Sequence, residues 1–425
     1  MKQLILPHYL QGTLAIPSSK SYTQRAFAAA LLAGGTTHIY NAGISNDDNA
    51  ALNVVQQLGA TVSQKNTFLS ITSNFTRNLK SDGEALKLHL SESGLGLRMF
   101  TPIVALLSNT VAITGSGSLT TRPMHTFNEV LPQLDVQLST NNGYLPFTVK
   151  GPLHAKDITV DGSLSSQFLT GLLLAYSYAY TNATITVQQL TSKPYIDVTL
   201  SVLQAFGLNV PLHNNYETFT FTTNPIPQST TRSYTVEADW SSASFMLVAA
   251  SINGNCTFTG LNSTSVQADK KILEALQHAG ANITVTEKFI NVSKSALHGF
   301  NFDATQCPDL FPPLVALAAN AVGTTTIKGL SRLAHKESNR GITLQQQFAN
   351  LGISIILQDD IMVIHGNGNI QIVNTNCHSC HDHRIAMALA VSIVNQPTPI
   401  IIDAFEAIDK SYPNFYTHLQ SLQKP

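Results

Sequence analysis

The chain has 425 residues, of which 43% are hydrophobic and 12% are charged, and its formal net charge is -1 at pH 7. This length exceeds one ordinary hydrophobic core, and the low charge with high apolar content excludes a disordered chain. The near-neutral charge offers no basic surface for nucleic acid or for an acidic membrane.

The first ten residues, MKQLILPHYL, are too few and too polar for the apolar region of a signal peptide, and no apolar run is long enough to span a bilayer. The four cysteines are too few for a disulfide framework in a chain of this size. We therefore expect a cytoplasmic protein with no membrane partner and no nucleic-acid partner.

A unit of roughly 70 residues recurs along the chain. Each unit opens with a short polar cluster, and an apolar stretch rich in Ala and Leu follows, which predicts a buried helix. In chain order, the six openings are Ser19-Lys20-Ser21, Ser93-Gly94, Ser165-Ser166-Gln167, Ser241-Ser242-Ala243, Pro308-Asp309 and Cys380-His381-Asp382-His383-Arg384.

A turn of small residues and a β-branched strand follow these helices, as in the nearly identical segments Gly35-Thr36-Thr37 and Gly323-Thr324-Thr325. An amphipathic helix then ends at a glycine, which is a typical helix stop. These stops are Leu58-Gly59-Ala60, Phe206-Gly207-Leu208, Ala279-Gly280-Ala281 and Leu351-Gly352-Ile353. Six such units predict an α/β protein of two similar domains with three units each.

The polar openings indicate anion binding, because the start of a helix exposes unpaired N–H groups and a positive dipole end. Ser, Asp and Asn are also ordinary N-caps, and repeats can exist only to share a core, so any single opening is open to either interpretation. Capping does not require a cation, however. The openings Ser19-Lys20-Ser21 and His383-Arg384 therefore favour an anion site.

Much of a small stock of 24 Lys and Arg residues lies at these openings or in the loops after the strands. The cations are Lys20, Arg25, Arg98, Arg122, Lys336, Arg340, Arg384 and Lys410. If the units pack symmetrically, these side chains face one cleft, and the guanidinium fork suits carboxylates and phosphates. Asp47, Asp309 and Glu337 lie beside the cations and could accept or deliver protons, although Asp309 could also be an N-cap and Glu337 a surface residue.

The segment CHSCHDHR contains Cys377, Cys380, His381 and His383 at spacings that resemble a metal site. A single CxxC is a weak zinc signal, because structural zinc sites usually draw on a second distant pair and the other two cysteines are isolated. We expect no metal. Motifs for dinucleotide, P-loop, zinc protease and serine hydrolase sites are absent from the sequence.

Eight segments of the chain carry a family resemblance. They are SKSYTQRA, ESGLGLRMF, TRPM, DGSLSSQFLTGLL, LTSKPYIDVTL, VEADWSSASF, KESNR and HDHRIAMALA, in this order. With them, the whole chain resembles the 3-phosphoshikimate 1-carboxyvinyltransferases, or EPSP synthases, of the enolpyruvyl transferase family. The segments LSSQFLTGLL and SKPYIDVTL are the most specific of the eight.

The resemblance implies two hinged domains of the inside-out α/β barrel type with the active site between them. One domain is expected over residues 19–236, and the other is discontinuous, with residues 1–18 plus 237–425. The implied reaction transfers the enolpyruvyl group of phosphoenolpyruvate to the 5-hydroxyl of shikimate 3-phosphate, in the shikimate pathway to aromatic amino acids. The family also implies a monomer that needs no cofactor.

The resemblance further implies residue roles. Shikimate 3-phosphate is expected at Lys20, Ser21, Arg25, Ser165, Ser166, Gln167, Ser192, Tyr195, Asp309, Arg332 and Lys336. Phosphoenolpyruvate is expected at Lys20, Gly94, Arg122, Gln167, Arg340, Arg384 and Lys410. Asp309 is the implied base for the 5-hydroxyl, Glu337 the implied acid for the methylene carbon, and Lys20 lies near that proton path. The supporting positions are Asp47, Arg98 and His383.

Five positions depart from the usual pattern of the family. Glu92, Arg332 and His381 stand where Asn is usual, Leu95 replaces a small hydroxyl residue, and Asn339 replaces Asp. Glu92 and Leu95 change the expected wall of the phosphoenolpyruvate pocket. Arg332 is expected to add a contact to the phosphate of shikimate 3-phosphate.

Two alternatives remain at the level of sequence. The sister enzyme that uses UDP-N-acetylglucosamine typically has Lys-Asn where this chain has Lys20-Ser21, and it uses a cysteine acid early in the chain, whereas the first cysteine here is Cys256. The other alternative is a non-catalytic anion-binding protein of the same fold. The combined presence of Lys20, Asp309, Glu337 and the cations beside them argues against a non-catalytic protein.

Overall fold

The computed structural model describes residues 1–79, 84–179, 181–223 and 231–423. The α-helices of this part of the chain are α1 (Lys20–Ala33), α2 (Asn46–Gln57), α3 (Gly94–Val104), α4 (His125–Val130), α5 (Ser166–Ala179), α6 (Pro194–Ala205), α7 (Trp240–Asn253), α8 (Ile272–His278), α9 (Phe311–Ala319), α10 (Arg340–Ala349), α11 (His383–Ser392) and α12 (Phe415–Ser421). Short 3₁₀-helices span Gly117–Thr121, Leu131–Leu134, Ala268–Lys271, Pro308–Leu310, Leu330–Leu333 and Phe405–Lys410.

The strands alternate with these helices along the chain. They are β1 (Lys2–Ile5), β2 (Leu10–Ala15), β3 (Gly35–Tyr40), β4 (Thr61–Gln64), β5 (Phe68–Ser73), β6 (Leu86–His89), β7 (Thr110–Thr114), β8 (Gln137–Asn141), β9 (Tyr144–Lys150), β10 (Ile158–Asp161), β11 (Ala183–Gln188), β12 (Leu212–Asn214), β13 (Thr218–Phe221), β14 (Thr231–Thr235), β15 (Gly254–Thr259), β16 (Asn282–Val285), β17 (Phe289–Ser293), β18 (Asn301–Asp303), β19 (Val322–Lys328), β20 (Ser354–Gln358), β21 (Ile361–Asn367), β22 (Asn376–His378) and β23 (Ile400–Asp403).

The described strands form sheets that repeat one arrangement. Five have four strands, in the orders β10-β11-β13-β12, β14-β3-β5-β4, β2-β15-β17-β16, β18-β19-β21-β20 and β6-β7-β9-β8, and a sixth has the order β22-β23-β1. In each, the first pair is parallel and the later pairs are antiparallel. Parallel pairing requires a crossover, and a buried helix provides it between β6 and β7 and between β10 and β11. The predicted α/β fold with a sixfold repeat is confirmed.

The chain divides into two compact units, Lys20–Val236 and Met1–Ser19 with Glu237–Pro425. Each unit contains three of the sheets, because β2 pairs with β15 in one unit and β14 pairs with β3 in the other. The chain therefore passes from one unit to the other after β2 and again after β14. The domain bounds 19–236 and 1–18 plus 237–425, and the hinge between these domains, stay predictions.

Three buried helices form the centre of each unit. In Lys20–Val236, α1, α3 and α5 pack on one another, and α7, α9 and α11 do so in the other unit. All residues of α3 and of α9 are buried, whereas strands such as β9 alternate buried and exposed side chains. Sheets with one solvated face therefore pack around helices that are largely buried, as the inside-out arrangement requires. Within the described residues, no helix combines the length and apolarity needed to cross a membrane.

The helices begin where the polar openings predict. α1 begins at Lys20, α5 at Ser166 and α11 at His383. The capping interpretation also holds at several starts, because the side chains of Ser93, Asp239 and Asp382 accept backbone N–H bonds from α3, α7 and α11. Capping is therefore part of what these clusters do, and the cations beside them need a separate explanation.

The contact between α3 and α5 depends on Gly171. A methyl group there would lie 2.4 Å from the carbonyl oxygen of Arg98, which is backbone and cannot move aside. We predict that Gly171→Ala lowers the free energy of unfolding by about 2 kcal/mol or more, because overpacking exceeds the gain in helix propensity.

Urea denaturation measures this change. Gly341→Ala, in α10, is the matched control, because the closest contact of the new methyl group, at 2.8 Å, would be the end of the flexible Leu330 side chain. Equal stabilities of Gly171→Ala and of the control would contradict the close packing of α3 on α5.

Candidate active site

Six charged residues form one network in the unit that contains the C-terminal half, and we call them the Arg340 cluster: Lys336, Glu337, Arg340, Asp309, Asp382 and Arg384. Arg340 is 1% exposed, and its guanidinium donates to Asp309 at 2.7 Å, to Glu337 at 2.5 Å and to Asp382 at 2.8 Å. One buried cation therefore contacts carboxylates from three segments of the chain.

Asp309 lies in the 3₁₀-helix Pro308–Leu310, which leads into α9. Its Oδ1 also accepts from Lys336 Nζ at 3.3 Å, and its Oδ2 accepts from Arg384 Nη2 at 3.2 Å. Burial alone would raise the pKa of Asp309, but Arg384, Lys336 and Arg340 together hold this pKa well below its ordinary value. The carboxylate is ionised at neutral pH and keeps 20% of its surface exposed, as a proton acceptor for a bound molecule must.

Asp382 is the fully buried member of the cluster. It caps α11 through the backbone N–H of Arg384, and its Oδ2 accepts from Ser338 Oγ and Arg340 Nε. Burial would lower the pKa of Arg340, but Asp382, Glu337 and Asp309 raise it above its ordinary value. The start of α11, the start of α10 and Asp309 are therefore held together by charge-assisted bonds.

The remaining predicted residues of this unit lie around the cluster. The pKa values of Arg332 and of Lys336 are lowered because both side chains are partly buried. The nearby negative charge of Asp309 opposes this effect but does not cancel it. Lys410 ends the 3₁₀-helix Phe405–Lys410, which packs against α11, and only 6% of it is exposed. His383 is the first residue of α11 and is 1% exposed. The cations that sequence reasoning singled out here are thus largely buried rather than solvated.

In the other unit, Lys20 forms an ion pair with Asp47. The distance from Lys20 Nζ to Asp47 Oδ2 is 2.9 Å, and the side chains are 17% and 5% exposed. Asp48, the next residue, completes a capping box with Ser45 at the start of α2. The first turn of α1 is thereby tied to the first turn of α2, which fixes the position of the Lys20 ammonium group.

The guanidinium of Arg25 is buried and bonded to other groups of the protein. It is 1% exposed, and its guanidinium donates to Thr199 and Thr170 side chains and to the carbonyl oxygens of Ser21 and Tyr195. Burial lowers its pKa to about 10. Arg25 therefore links α1, α5 and α6.

Two arginines of this unit contact predicted binding residues. Arg98 Nη1 donates to Gln167 Oε1 at 2.9 Å, and its guanidinium lies 5.0 Å from the ring centroid of Phe168. Arg122 lies against Gly94, where an added methyl group would come within 2.5 Å of Arg122 Nη1. The structure therefore brings Gln167 to Arg98, and Gly94 to Arg122, at the starts of α5 and α3.

The hydroxyl residues predicted for the phosphate lie at the start of α5 and just before α6. The hydroxyl of Ser165 accepts from the backbone N–H of Gln167 at 3.3 Å, and Ser166 is the first residue of α5. Ser192 has a left-handed backbone with a φ of 57°, and its carbonyl oxygen accepts from Tyr195 N–H at 3.1 Å. Ser21 lies in the first turn of α1. That these residues bind a phosphate stays a prediction.

Four of the five positions that depart from the family pattern have defined surroundings in the structure. Leu95 is 7% exposed and belongs to the hydrophobic core, and the Glu92 carboxylate lies against Gly117, within 2.7 Å of where a methyl group there would be. Asn339 caps α10 by accepting from Ile342 N–H. The ring of His381 contacts that of His378 with centroids 5.6 Å apart.

The CHSCHDHR segment places its cysteines and histidines in and just before the start of α11. Among the described residues, no group of three or more His, Cys, Asp or Glu could hold a metal ion. Burial raises the pKa of Cys377 to about 11 and that of Cys380 above its ordinary value.

Sequence reasoning missed three carboxylates of these sites. Asp382 belongs to a predicted helix opening, but no role was predicted for it, although its position before His383-Arg384 is an N-cap signal. Asp48 follows Asp47 directly, and Ser45 three residues earlier marks a capping box. Asp269 is 4% exposed and hydrogen-bonded to Ser241, and no motif in the sequence indicates it.

Solved structures of enolpyruvyl transferases are similar to this chain. The structure matches EPSP synthase from Acinetobacter baumannii with a TM-score of 0.80 and 25% identity, covering 99% of this chain and 98% of that one. It also matches the enolpyruvyl transferase NikO from Streptomyces tendae with a TM-score of 0.79 and 15% identity, covering 99% and 97% of the two chains. The second likeness concerns the fold alone.

Comparisons of the sequence identify the family within the enolpyruvyl transferases. Residues 6–419 match the family described as EPSP synthase (3-phosphoshikimate 1-carboxyvinyltransferase). The 3-phosphoshikimate 1-carboxyvinyltransferases of Clostridium kluyveri and Clostridium novyi are 34% and 33% identical to the chain, and each comparison covers 98% of this chain and 96% of the relative. The chain belongs to the EPSP synthase family.

Asp48 gives a test of the charge arrangement in the first unit. Burial raises its pKa to about 7, although the bonds with Ser45 and the charge of Lys20 oppose this. Between about pH 4 and pH 7, the folded chain binds a proton at Asp48 that the unfolded chain does not, so stability falls as pH rises. We predict that, from about pH 5 to pH 8, wild type loses about 2 kcal/mol of unfolding free energy relative to Asp48→Asn.

Urea midpoints at both pH values measure the difference. Glu129→Gln, an exposed position of α4, serves as the control and should follow wild type. Parallel pH profiles for wild type and Asp48→Asn would show that Asp48 does not titrate in this range.

Proposed function

We propose that the chain transfers the enolpyruvyl group of phosphoenolpyruvate to the 5-hydroxyl of shikimate 3-phosphate, releasing phosphate. This is a step of the shikimate pathway to aromatic amino acids. The observation that carries the proposal is Asp309, whose ionised and partly exposed carboxylate lies among Lys336, Arg340 and Arg384. Family membership and the cations at the helix starts support it. A cytoplasmic location and a monomeric state accompany the proposal as predictions.

The first chemical step is assigned to Asp309 and Glu337. The Asp309 carboxylate takes the proton of the 5-hydroxyl, the oxygen attacks C2 of phosphoenolpyruvate, and C3 receives a proton from Glu337, with Lys20 assigned to the same proton transfer. The product is a tetrahedral intermediate that still carries the phosphate. A general base and a general acid each typically contribute about 10²- to 10⁴-fold to the rate.

The second step removes the phosphate. C3 loses a proton to Glu337, which is a carboxylate after the first step, the double bond re-forms, and the C–O bond to phosphate breaks, which gives the enol ether and inorganic phosphate. Negative charge then builds up on the leaving group, and fixed cations stabilise such charge better than water does. We assign phosphoenolpyruvate and this phosphate to Lys20, Gly94, Arg122, Gln167, Arg340, Arg384 and Lys410.

Shikimate 3-phosphate is assigned to the hydroxyl-rich helix starts and to the cluster. The proposed residues are Lys20, Ser21, Arg25, Ser165, Ser166, Gln167, Ser192, Tyr195, Asp309, Arg332 and Lys336, with Asp47, Arg98 and His383 in support. Serine hydroxyls and first-turn N–H groups suit a phosphate because both donate to its oxygens. Arg25 also holds α1, α5 and α6 together through its bonds to Thr170 and Thr199.

Phosphate release by the purified protein tests the proposed reaction. We predict release when phosphoenolpyruvate and shikimate 3-phosphate are both present, and none with either compound alone. UDP-N-acetylglucosamine in place of shikimate 3-phosphate is the control acceptor. Release with that acceptor only would assign the chain to the sister activity, and release with neither would indicate a non-catalytic anion-binding protein.

Asp309→Asn tests the base. The amide keeps the shape of the side chain but cannot take a proton, so we predict that kcat falls by about 10²- to 10⁴-fold. Asp303→Asn is the control in the same unit, because Asp303 is 58% exposed and forms a surface ion pair with Lys328. A urea midpoint for each variant separates lost chemistry from lost folding. Turnover of a folded Asp309→Asn protein near the wild-type rate would remove Asp309 from this role.

A further inference from the structure

The turn between β12 and β13 has a tyrosine where such a turn usually has a glycine. The backbone N–H of Glu217 donates to the carbonyl oxygen of Asn214 at 2.8 Å, and the two residues between them, Asn215 and Tyr216, have φ values of 48° and 62°. Two positive φ values are typical of a type I′ turn, in which Asn-Gly is the favoured pair. Tyr216 therefore has a backbone conformation that a bulky residue rarely adopts.

The corresponding turn of another repeat in the same unit follows the usual rule. β8 and β9 occupy in their sheet the places that β12 and β13 occupy in theirs, and their turn has Asn142 and Gly143 with φ values of 50° and 79°. The repeated fold thus does not require a side chain at this position. A strained residue persists only where its surroundings stabilise it, and such residues are often found at functional sites.

The Tyr216 side chain contacts the start of α6. Its hydroxyl donates to Asp197 Oδ1 at 2.8 Å, and the ammonium nitrogen of Lys193 lies 5.4 Å from the centroid of its ring. The ring of His213 lies against the same ring, with the centroids 5.1 Å apart. Burial and the bond to Asp197 raise the pKa of Tyr216 to about 12, so the hydroxyl keeps its proton and remains the donor. Tyr216 therefore spans the first turn of α6, from Lys193 before it to Asp197 within it.

This segment carries two residues that the proposed function assigns to shikimate 3-phosphate, Ser192 and Tyr195. Ser192 directly precedes Lys193 and has a φ of 57°, and its carbonyl oxygen accepts from Tyr195 N–H at 3.1 Å. A left-handed conformation is unfavourable for a serine, so the segment depends on contacts with its surroundings to keep this shape.

Other contacts tie the same segment to α1 and to the loop before α5. The carbonyl oxygen of Tyr195 accepts from Arg25 Nη2 at 3.3 Å, and the hydroxyl of Thr191 donates to the carbonyl oxygens of Gly162 and Ser163 at 3.2 Å and 3.1 Å. These bonds reach the backbone of the segment or of the loop beside it. Tyr216 adds an attachment to the side chains of Lys193 and Asp197, from the sheet that contains β12 and β13.

We propose that Tyr216 is a positioning residue of the shikimate 3-phosphate site, which holds the start of α6 so that Ser192 and Tyr195 stay in place for the substrate. The inference rests on the proposed function, which assigns these two residues to shikimate 3-phosphate. Phosphoenolpyruvate is assigned to residues outside α6. A loosened start of α6 therefore weakens the binding of shikimate 3-phosphate and leaves the binding of phosphoenolpyruvate nearly unchanged.

Tyr216→Gly tests this role, because glycine suits the turn better than tyrosine but has no side chain to reach α6. We expect a KM for shikimate 3-phosphate about tenfold above that of wild type, while KM for phosphoenolpyruvate and kcat change by less than about twofold. Tyr216→Phe keeps the ring beside Lys193 and loses the bond to Asp197, so it should raise the same KM by about threefold. If Tyr216 served only the turn, Tyr216→Gly would have the wild-type KM.

Tyr176→Phe is the matched control. Tyr176 lies in α5 of the same unit, and its hydroxyl donates to the carbonyl oxygen of Lys156 at 2.8 Å, so the variant loses a hydroxyl bond of the same length that does not involve α6. Its urea midpoint should fall while its KM for shikimate 3-phosphate stays that of wild type. An equal rise in this KM for Tyr176→Phe and Tyr216→Phe would assign the effect to lost stability and overturn the inference.

Hydrogen exchange of the free protein measures the same contacts without a substrate. The backbone N–H groups of Ile196 and Asp197 donate to the carbonyl oxygen of Lys193 at 2.8 Å and 3.4 Å. We expect these two amides to exchange about tenfold faster in Tyr216→Gly than in wild type, and at the wild-type rate in Tyr176→Phe. Equal exchange in wild type and Tyr216→Gly would show that Tyr216 does not hold the start of α6.

The outcomes separate this inference from the proposed function. If wild type turns over and the folded Tyr216 variants have its KM for shikimate 3-phosphate, the role of Tyr216 is wrong and the function stands. If wild type releases no phosphate with both substrates, the function fails and the inference fails with it, whatever the exchange rates. If Tyr216→Gly does not fold, Tyr216→Phe decides alone, and an unchanged KM there overturns the inference.

Discussion

The buried guanidinium of Arg340 is the interaction on which the candidate site depends. It is shared by Asp309, Glu337 and Asp382, and it joins the start of α10 to the cap of α11 and to the segment before α9. Leaving one buried charge of such a group unpaired typically costs about 3–5 kcal/mol. Its charge, with those of Lys336 and Arg384, also keeps Asp309 ionised. The same contacts thus serve folding and chemistry.

The repeated fold explains why charges gather at helix starts. Each unit of the chain places three apolar helices at its centre, and their first turns present N–H donors beside polar caps. A positive dipole end tolerates carboxylates and binds phosphates, so the ends of these helices can be functional while their apolar sides form the core. Cations such as Lys20 and Arg384 are then fixed by rigid elements rather than by mobile loops.

Much of the fold follows from sequence because its signals are local. Glycines such as Gly59 and Gly207 end helices with positive φ, and polar openings begin them, so element types and order are readable from neighbouring residues. The candidate site is harder to predict because the residues that bond to one another there are far apart in the sequence. Arg340 meets Asp382 across 42 positions, and Arg25 reaches Thr170 and Thr199 across 145 and 174. Residue patterns indicated these cations, but they did not show which of the cations form bonds within the protein.

The direct test of the central claim is a structure of the protein with shikimate 3-phosphate bound. If Asp309 is the base that the Arg340 cluster holds ionised, the 5-hydroxyl oxygen lies within about 3 Å of an Asp309 carboxylate oxygen, or is joined to it by one water. A bound substrate whose 5-hydroxyl points away from Asp309, with another ionised group at that distance, would contradict the claim.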